Sequence, residues 1–177
     1  MSLRRLHVAK KSVSKLASST ADFTDYHHGD ENIHPVVISL AQKYVGSNNL
    51  NLFEPISNLG TRANGGKDAG AARYSYIYLS QLIRHIFHPL YEPLLQRNFG
   101  SVEPIWYIPI IPLLLVNGAK GFANGVCTNI FNYNIKDIIS NLRRLLDNHD
   151  PIEMHPWYRN FKGKIEIFRW SIHLRKR

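Results

Sequence analysis

Tyr74 directly follows Arg73, and this pair is the first candidate for covalent chemistry in the sequence. A tyrosine hydroxyl can act as a nucleophile when its surroundings lower the cost of losing its proton. The ordinary pKa of tyrosine is about 10, so only about one molecule in a thousand is a phenolate at pH 7. A neighbouring guanidinium could stabilise that phenolate, or the charge of a phosphate in a transition state. The spacing therefore makes Arg73 a candidate activator of Tyr74.

Four further side chains could form a phosphate-binding site around this pair. His27 and His28 could share the role of the arginine if the fold brings them close, and Arg62 and Lys67 could hold backbone phosphates on either side. Each of these residue types also has an ordinary interpretation. A tyrosine in an aromatic-rich strand usually packs across the strand, a histidine pair before glycine usually marks a turn, and a lone lysine or arginine is usually solvated. Taken singly, these residues do not decide between the two interpretations.

The order and spacing of short motifs along the chain decide more than any single residue. The stretches that carry the pattern are residues 26–30, 45–52, 60–62, 65–68, 72–74, 103–104, 106–112, 117–119, 132–134, 157–158 and 161–163. In this order they closely resemble the DNA-cleaving core of eukaryotic type IIA DNA topoisomerases. The resemblance runs from about residue 11 to residue 165, which is most of the chain.

The resemblance implies an α+β fold in two parts. Residues 1–105 would form a partial winged-helix DNA-gate domain that carries the active tyrosine, and residues 106–177 would begin an α/β tower subdomain. Both ends of the sequence are expected to lie inside domains, so the chain would be a truncated part of a larger enzyme. The tail, residues 168–177, departs from the family pattern and is basic.

Hydrophobic periodicity makes local predictions within these two parts. It predicts helices at 33–45 and 135–146, each with apolar residues on one face. The remaining segments are predicted as an ordered loop at 48–67, a strand running into a helix at 74–87, one or two buried strands at 106–116 and a glycine-rich turn region at 117–125.

The resemblance also implies a reaction. In the family, the active tyrosine of each protomer in a homodimer forms a 5′-phosphotyrosyl bond, which opens a staggered double-strand break. A second duplex passes through the break, which is then resealed. By position Tyr74 would be the nucleophile and Arg73 its activating neighbour, while His27, His28, Arg62 and Lys67 would surround the phosphates.

Two departures from the family pattern fall in the second part of the chain. Phe122 stands where the family has an isoleucine that wedges between base pairs and bends the DNA, and an aromatic residue can serve as such a wedge. Lys120 replaces a neighbouring acid and would add a phosphate contact. Both residues are therefore predicted to bind DNA.

The metal-binding part of this chemistry is not expected in this chain. Phosphoryl transfer of this kind usually uses Mg²⁺, which needs a cluster of hard oxygen ligands. The acids of the first part are scattered and form no Asp-x-Asp motif: Asp22, Asp25, Asp30, Glu31 and Asp68. The family binds Mg²⁺ and ATP in modules that this sequence does not contain. The isolated chain is therefore predicted to be inactive in strand passage.

Composition agrees with a nucleic-acid partner. The formal net charge is +9, which favours polyanions such as double-stranded DNA, and 44% hydrophobic residues allow a real core. The single cysteine, Cys127, excludes an internal disulfide. The longest apolar run, residues 105–116, is too short to span a bilayer, so no membrane partner is expected.

Two questions stay open at this point. The resemblance implies a nuclear enzyme, while an organellar or viral origin is equally compatible with the sequence. The alternative function is a catalytically silent DNA-binding or dimer-interfering remnant, or a pseudogene product.

Overall fold

The structure, a computed structural model, describes residues 10–97, 103–168 and 171–175. The chain divides into two compact units, the first ending at Ile111 and the second beginning at Pro112. Helices and strands occur in both units. The predicted boundary between residues 105 and 106 stays a prediction, because the winged-helix and tower domains are defined by the family and not by compactness.

A small antiparallel sheet organises the first unit. It contains β1 (Lys11–Ser12), β2 (Phe53–Pro55) and β3 (Tyr76–Leu79), with β3 in the centre. Successive side chains of a strand point to opposite faces, and here the apolar residues of β3 are buried while its tyrosines are exposed. The predicted strand at this position is therefore confirmed. The core beneath the sheet is formed by Val13, Leu16, Val37, Ala41, Leu59 and Ile77.

Three helices cover or extend this sheet: α1 (Val13–Thr24), α2 (Ile33–Ala41) and α3 (Ile83–Ile86). Two 3₁₀ turns, Asp30–Asn32 and Pro89–Leu94, connect them to their neighbours. Helix α1 lies in a stretch rich in serine and threonine, which dilute its apolar stripe. Val13, Leu16 and Ala17 are nevertheless buried, and these three residues anchor α1 to the core.

Helix α2 is shorter than its predicted range of 33–45. The backbone becomes extended at Gln42, so the helix ends at Ala41. Side chains from the following loop satisfy its last carbonyls: the Asn48 amide donates to Ser39 and Gln42, and the Asn51 amide donates to Ala41. These bonds compete with continued helix, which apolar periodicity alone does not reveal.

The prediction of buried strands at 106–116 is wrong. Residues 105–110 have no regular structure, and their large side chains are mostly exposed. The segment ends in a short helix, α4 (Leu113–Asn117), in the second unit. Pro109 and Pro112 have no backbone N–H to donate to a ladder, so this run cannot pair as a central strand.

The second unit is built on α4 and a longer helix, α5 (Ile135–Leu146), which has the predicted bounds. Val116 and Ile138 are its most buried apolar residues. The Asn134 side chain caps α5 by accepting from the Lys136 N–H at 2.9 Å. Strand β6 (Lys164–Phe168) pairs in antiparallel register with β7 (Ser171–Arg175), which lies in the basic tail.

The predicted glycine-rich turn region is instead a hairpin of two strands. These are β4 (Ala119–Ala123) and β5 (Val126–Ile130), which pair in antiparallel register. The connection is Asn124-Gly125, and both residues have positive φ, as a two-residue hairpin turn of the type I′ kind requires.

No helix in the described ranges is long and apolar enough to cross a membrane.

Candidate active site

Tyr74 lies on a tight turn that leads into the central strand β3. The N–H groups of Tyr74 and Ser75 both donate to the Ala71 carbonyl, at 2.9 and 3.0 Å. The turn therefore holds the Tyr74 backbone close to the sheet, while 71% of the residue's surface remains exposed. A fixed backbone with an accessible hydroxyl is what a nucleophile needs to reach a large substrate.

The first turn of α1 forms backbone hydrogen bonds with this tyrosine turn. The N–H of Val13 donates to the Ser75 carbonyl at 2.9 Å, and the N–H of Ser14 donates to the Ala72 carbonyl at 3.2 Å. Ser12 caps the same helix through its hydroxyl, which accepts from the Lys15 N–H. The donors that a helix N-terminus leaves unsatisfied are thus used to position the turn.

Serine hydroxyls add two further bonds to the turn. The Ser75 side chain is buried and donates to the Gly70 carbonyl at 2.9 Å. The Ser57 hydroxyl accepts from the Tyr76 N–H at 2.9 Å. The chain on both sides of Tyr74 is therefore fixed by side chains as well as by backbone bonds.

Arg73 lies beside Tyr74. Its guanidinium carbon is 5.9 Å from the centre of the Tyr74 ring, at the outer limit of a cation–π contact. A guanidinium at this position can lower the energy of a phenolate or of a phosphate that approaches the hydroxyl. The structure thus brings together the two residues that were predicted to act as a pair.

A closed loop of residues 58–68 adjoins the tyrosine turn. The N–H of Gly70 donates to the Asn58 carbonyl at 3.1 Å, which joins the loop and the turn. At the other end of the loop, the Asp68 carboxylate accepts from both the N–H and the hydroxyl of Thr61, each at 2.7 Å. These bonds lower the pKa of Asp68 to about 2, and the bond from the Thr61 N–H contributes most. The carboxylate is therefore ionised at neutral pH.

Gln42 ties the same loop to the end of α2. Its amide donates to the Leu59 carbonyl at 2.9 Å and to the Gly66 carbonyl at 3.0 Å. Gly66 has φ of +81°, and a Cβ built on it would lie 2.8 Å from the Gln42 side-chain amide carbon. Only glycine fits this position without displacing the glutamine.

The loop carries Arg62 and Lys67, and both side chains are exposed. Their backbones are held by turn hydrogen bonds, since Gly65 donates to the Arg62 carbonyl and Lys67 donates to the Asn64 carbonyl. The structure therefore places the two predicted phosphate-binding side chains on one rigid loop next to the turn.

His27 and His28 are exposed on the connection between α1 and α2. Within residues 10–97, their contacts are local: His27 lies 4.0 Å from Asp25, and the His28 ring packs edge-on against Tyr26 at 5.4 Å. The structure shows no hydrogen bond or ring contact between either imidazole and Tyr74 in this range. Their predicted role as phosphate ligands stays a prediction.

Two other tyrosines have a raised pKa. Burial, with a contribution from the charge of Glu103, raises the pKa of Tyr107, and burial raises the pKa of Tyr158. A higher pKa makes the phenolate rarer at neutral pH.

Lys120 and Phe122 lie on the β4–β5 hairpin of the second unit. They are two residues apart on one strand and therefore share a face, opposite Asn129 and Cys127 respectively. Phe122 is 78% exposed. The hairpin turn at Asn124-Gly125 is a signal that the sequence contained and that would have predicted this exposed ribbon.

In the described part of the chain, no three His, Cys, Asp or Glu side chains form a group that could hold a metal ion.

Sequence reasoning missed Thr61, Ser57, Ser75 and Gln42. None of them carries the charge or nucleophilic group that draws attention in a sequence. Each acts by a hydrogen bond that depends on the folded loop or turn, and such pairs appear only in the fold.

An exposed tyrosine on a fixed turn, beside an arginine and a cationic loop, is the arrangement that the motifs imply. Over residues 1–173, the sequence matches the family of the A subunit of DNA gyrase/topoisomerase IV. Because the match covers nearly the whole chain, this protein belongs to that family.

Its relatives are more specific. The chain is 51% identical over 159 residues to DNA topoisomerase 2 of Bombyx mori, covering 88% of this chain and 10% of the relative. It is 47% identical over 157 residues to DNA topoisomerase 2 of Saccharomyces cerevisiae, covering 87% of this chain and 11% of that protein. The chain thus spans about a tenth of the length of these relatives.

A solved structure shows the same fold. The crystal structure of the Plasmodium falciparum topoisomerase II DNA-binding, cleavage and re-ligation domain matches with a TM-score of 0.87 at 41% identity, covering 95% of this chain and 23% of that chain. The resemblance to eukaryotic type II topoisomerases and the α+β class are therefore both confirmed.

Proposed function

We propose that this chain supplies the DNA-cleaving tyrosine of an ATP-dependent type II DNA topoisomerase, with Tyr74 as the nucleophile. The observation that carries the proposal is the turn itself: an exposed tyrosine beside Arg73, held by α1 and joined to a loop with two exposed cationic side chains. The names of the relatives support the reaction class.

The reaction is a transesterification, in which one phosphate ester bond forms as another breaks. The Tyr74 hydroxyl oxygen attacks a backbone phosphorus and loses its proton, and the bond from phosphorus to the 3′ oxygen breaks. The 3′ oxygen takes up a proton and leaves as a hydroxyl, while the 5′ phosphate stays on the tyrosine. Resealing is the reverse reaction, and the phosphotyrosyl ester conserves the energy of the broken linkage.

The cationic side chains stabilise negative charge at different places. Arg73 stabilises the phenolate and the charge that develops on the attacked phosphate, because it sits beside the ring. Arg62 and Lys67 hold neighbouring phosphates from the 58–68 loop, which fixes the register of the DNA without reading its sequence. His27 and His28 complete the phosphate surroundings if DNA binding brings the α1–α2 connection closer.

The β4–β5 hairpin serves as a DNA-deforming ribbon in this proposal. Phe122 inserts between base pairs and Lys120 contacts a phosphate on the same face of the ribbon. The supporting observation is the exposure of a large aromatic residue on a two-stranded element whose residues are mostly exposed.

The remaining parts of the reaction belong to a longer protein. On the basis of the relatives, we propose four properties for that longer protein: homodimer formation, use of Mg²⁺, ATP-driven passage of a second duplex and a nuclear location. They are not assigned to residues of this chain.

A chimera tests the proposal directly. Residues 11–165 replace the matching segment of Saccharomyces cerevisiae DNA topoisomerase 2, which supplies the other modules. We expect the chimera to form covalent protein–DNA adducts that survive denaturation, with a 5′-phosphotyrosyl bond found by mass spectrometry. We expect Tyr74→Phe to lower adduct formation by roughly 10³-fold or more, since the nucleophilic oxygen is gone.

The matched control is Tyr76→Phe, the next exposed tyrosine on β3, which should keep its adducts. Adducts that persist in Tyr74→Phe would show that another residue is the nucleophile. DNA binding without any adduct, in a chimera that still folds and dimerises, would instead support the catalytically silent DNA-binding chain.

A further inference from the structure

Ser57 forms hydrogen bonds with the tyrosine turn just beyond the last residue pair of β2 and β3. The register of β2 and β3 ends with Pro55 opposite Ile77, and a proline has no N–H to donate. Past this point, the Ile56 N–H donates to the Tyr76 carbonyl at 2.9 Å, and the Ser57 hydroxyl comes next.

The Ser57 hydroxyl bridges the two residues that flank Ser75. Its oxygen accepts from the Tyr76 N–H at 2.9 Å, and it lies 3.5 Å from the Tyr74 carbonyl, to which it can donate. A hydroxyl is both donor and acceptor, so the two bonds do not compete. The side chain thus replaces the ladder bonds that a regular strand would make here.

The other bonds of the turn use other backbone groups, and among them the N–H groups of Tyr74 and Ser75 donate to the Ala71 carbonyl. Val13, Ser14 and the Ser75 hydroxyl bind the carbonyls of Ser75, Ala72 and Gly70. Ser57 reaches the carbonyl of Tyr74 itself, and it also binds the N–H two residues on. Its loss therefore removes the bond to the Tyr74 carbonyl, while the N–H groups of Tyr74 and Ser75 keep their bonds to Ala71.

We propose that Ser57 is a positioning residue for the attack by Tyr74, an inference that rests on the proposed function. It acts through the Tyr74 backbone and does not touch the DNA. A tyrosine held in one orientation meets the phosphate at a high effective concentration, and that advantage falls when the backbone can rotate.

The experiment uses the chimera with Ser57→Ala, Ser57→Thr and the control Ser140→Ala, an exposed serine on α5. Single-turnover cleavage is measured at saturating DNA, alongside the DNA dissociation constant. We expect Ser57→Ala to slow cleavage about tenfold with the dissociation constant unchanged within about twofold. Threonine keeps the hydroxyl, so it should restore the rate, and Ser140→Ala should match the parent.

Two results would overturn the proposal. An unchanged cleavage rate in Ser57→Ala is one. Equal losses of cleavage and DNA affinity, or no rescue by threonine, would make Ser57 an ordinary structural residue.

A second measurement separates this inference from the proposed function. In the 177-residue chain, amide hydrogen exchange of Tyr76 should speed up about tenfold in Ser57→Ala, because its acceptor is lost. If the parent chimera does not cleave DNA, the proposed function fails. An unchanged Tyr76 exchange rate overturns the role of Ser57 in either case.

Discussion

Asp68 closes the loop that carries two cationic residues, Arg62 and Lys67. It does so by accepting two hydrogen bonds from Thr61. Its pKa is about 2, below the ordinary value of 3.8, because the folded state stabilises the charged form. This contribution to stability is fully present above about pH 4 and is lost as the pH falls through about 2.

Removing the Thr61 hydroxyl should shift this titration. In Thr61→Val we expect the Asp68 midpoint to rise from about 2 toward 3.8, without reaching it, because the Thr61 N–H still donates. The measurement is a carbon NMR titration of the Asp68 carboxyl group. Thr20→Val removes a hydroxyl that bonds within α1, so it should leave the Asp68 midpoint in place. A midpoint that does not move in Thr61→Val would contradict the assigned cause.

Within the 58–68 loop, two adjacent glycines with positive φ differ in what surrounds them. Gly66 combines positive φ with close contact to Gln42, whereas the adjacent Gly65 has positive φ and open space around it. A comparison of substitutions at Gly65 and Gly66 therefore separates the free-energy cost of backbone strain from the cost of displacing the Gln42 side chain.

Alanine at each glycine should reveal that difference. We expect Gly65→Ala to lower the free energy of unfolding by about 1–2 kcal/mol, the cost of a left-handed alanine. Gly66→Ala should cost about 1–3 kcal/mol more, since Gln42 must give up its bonds to the loop. Urea unfolding of the chain checks both values. Equal losses in the two variants would mean that the glutamine moves aside freely.

The sequence predicts some elements of this fold and not others, for physical reasons. The range of α5 is correct because its apolar stripe and its Asn134 cap are local signals. Helix α2 stops early because Asn48 and Asn51 cap it from the following loop, and that pairing is not visible in a periodic pattern. Among site residues, motif order predicts the adjacent Arg73 and Tyr74, whereas the hydroxyls that hold them depend on folding.

Over the whole molecule, the excess of positive charge favours the proposed binding to DNA. The chain has 22 lysines and arginines against 13 acids, and exposed Arg62 and Lys67 lie on one loop. Binding through phosphates releases counterions, so the affinity should fall steeply with salt.

Neutralising one phosphate contact should make this salt dependence shallower. In Arg62→Ala and in Lys67→Ala we expect the slope of log affinity against log salt to decrease by about 0.9 each. Fluorescence anisotropy with a short duplex, between about 50 and 200 mM salt, measures it. Lys136→Ala, on α5, removes the same charge from the other unit and should leave the slope nearly unchanged. Binding that ignores salt, or no binding, would count against the proposed DNA partner.

The bonds between α1 and the tyrosine turn make the position of Tyr74 depend on folding. Val13 and Ser75 lie about sixty residues apart in sequence, so the turn gains its bonds only after the intervening chain has been synthesised and folded. A nascent polypeptide, or one partly melted by heat, carries Tyr74 as an ordinary flexible phenol. The proposed capacity to break DNA thus arises together with the folded state, and a half-made protein in the cell would not have it.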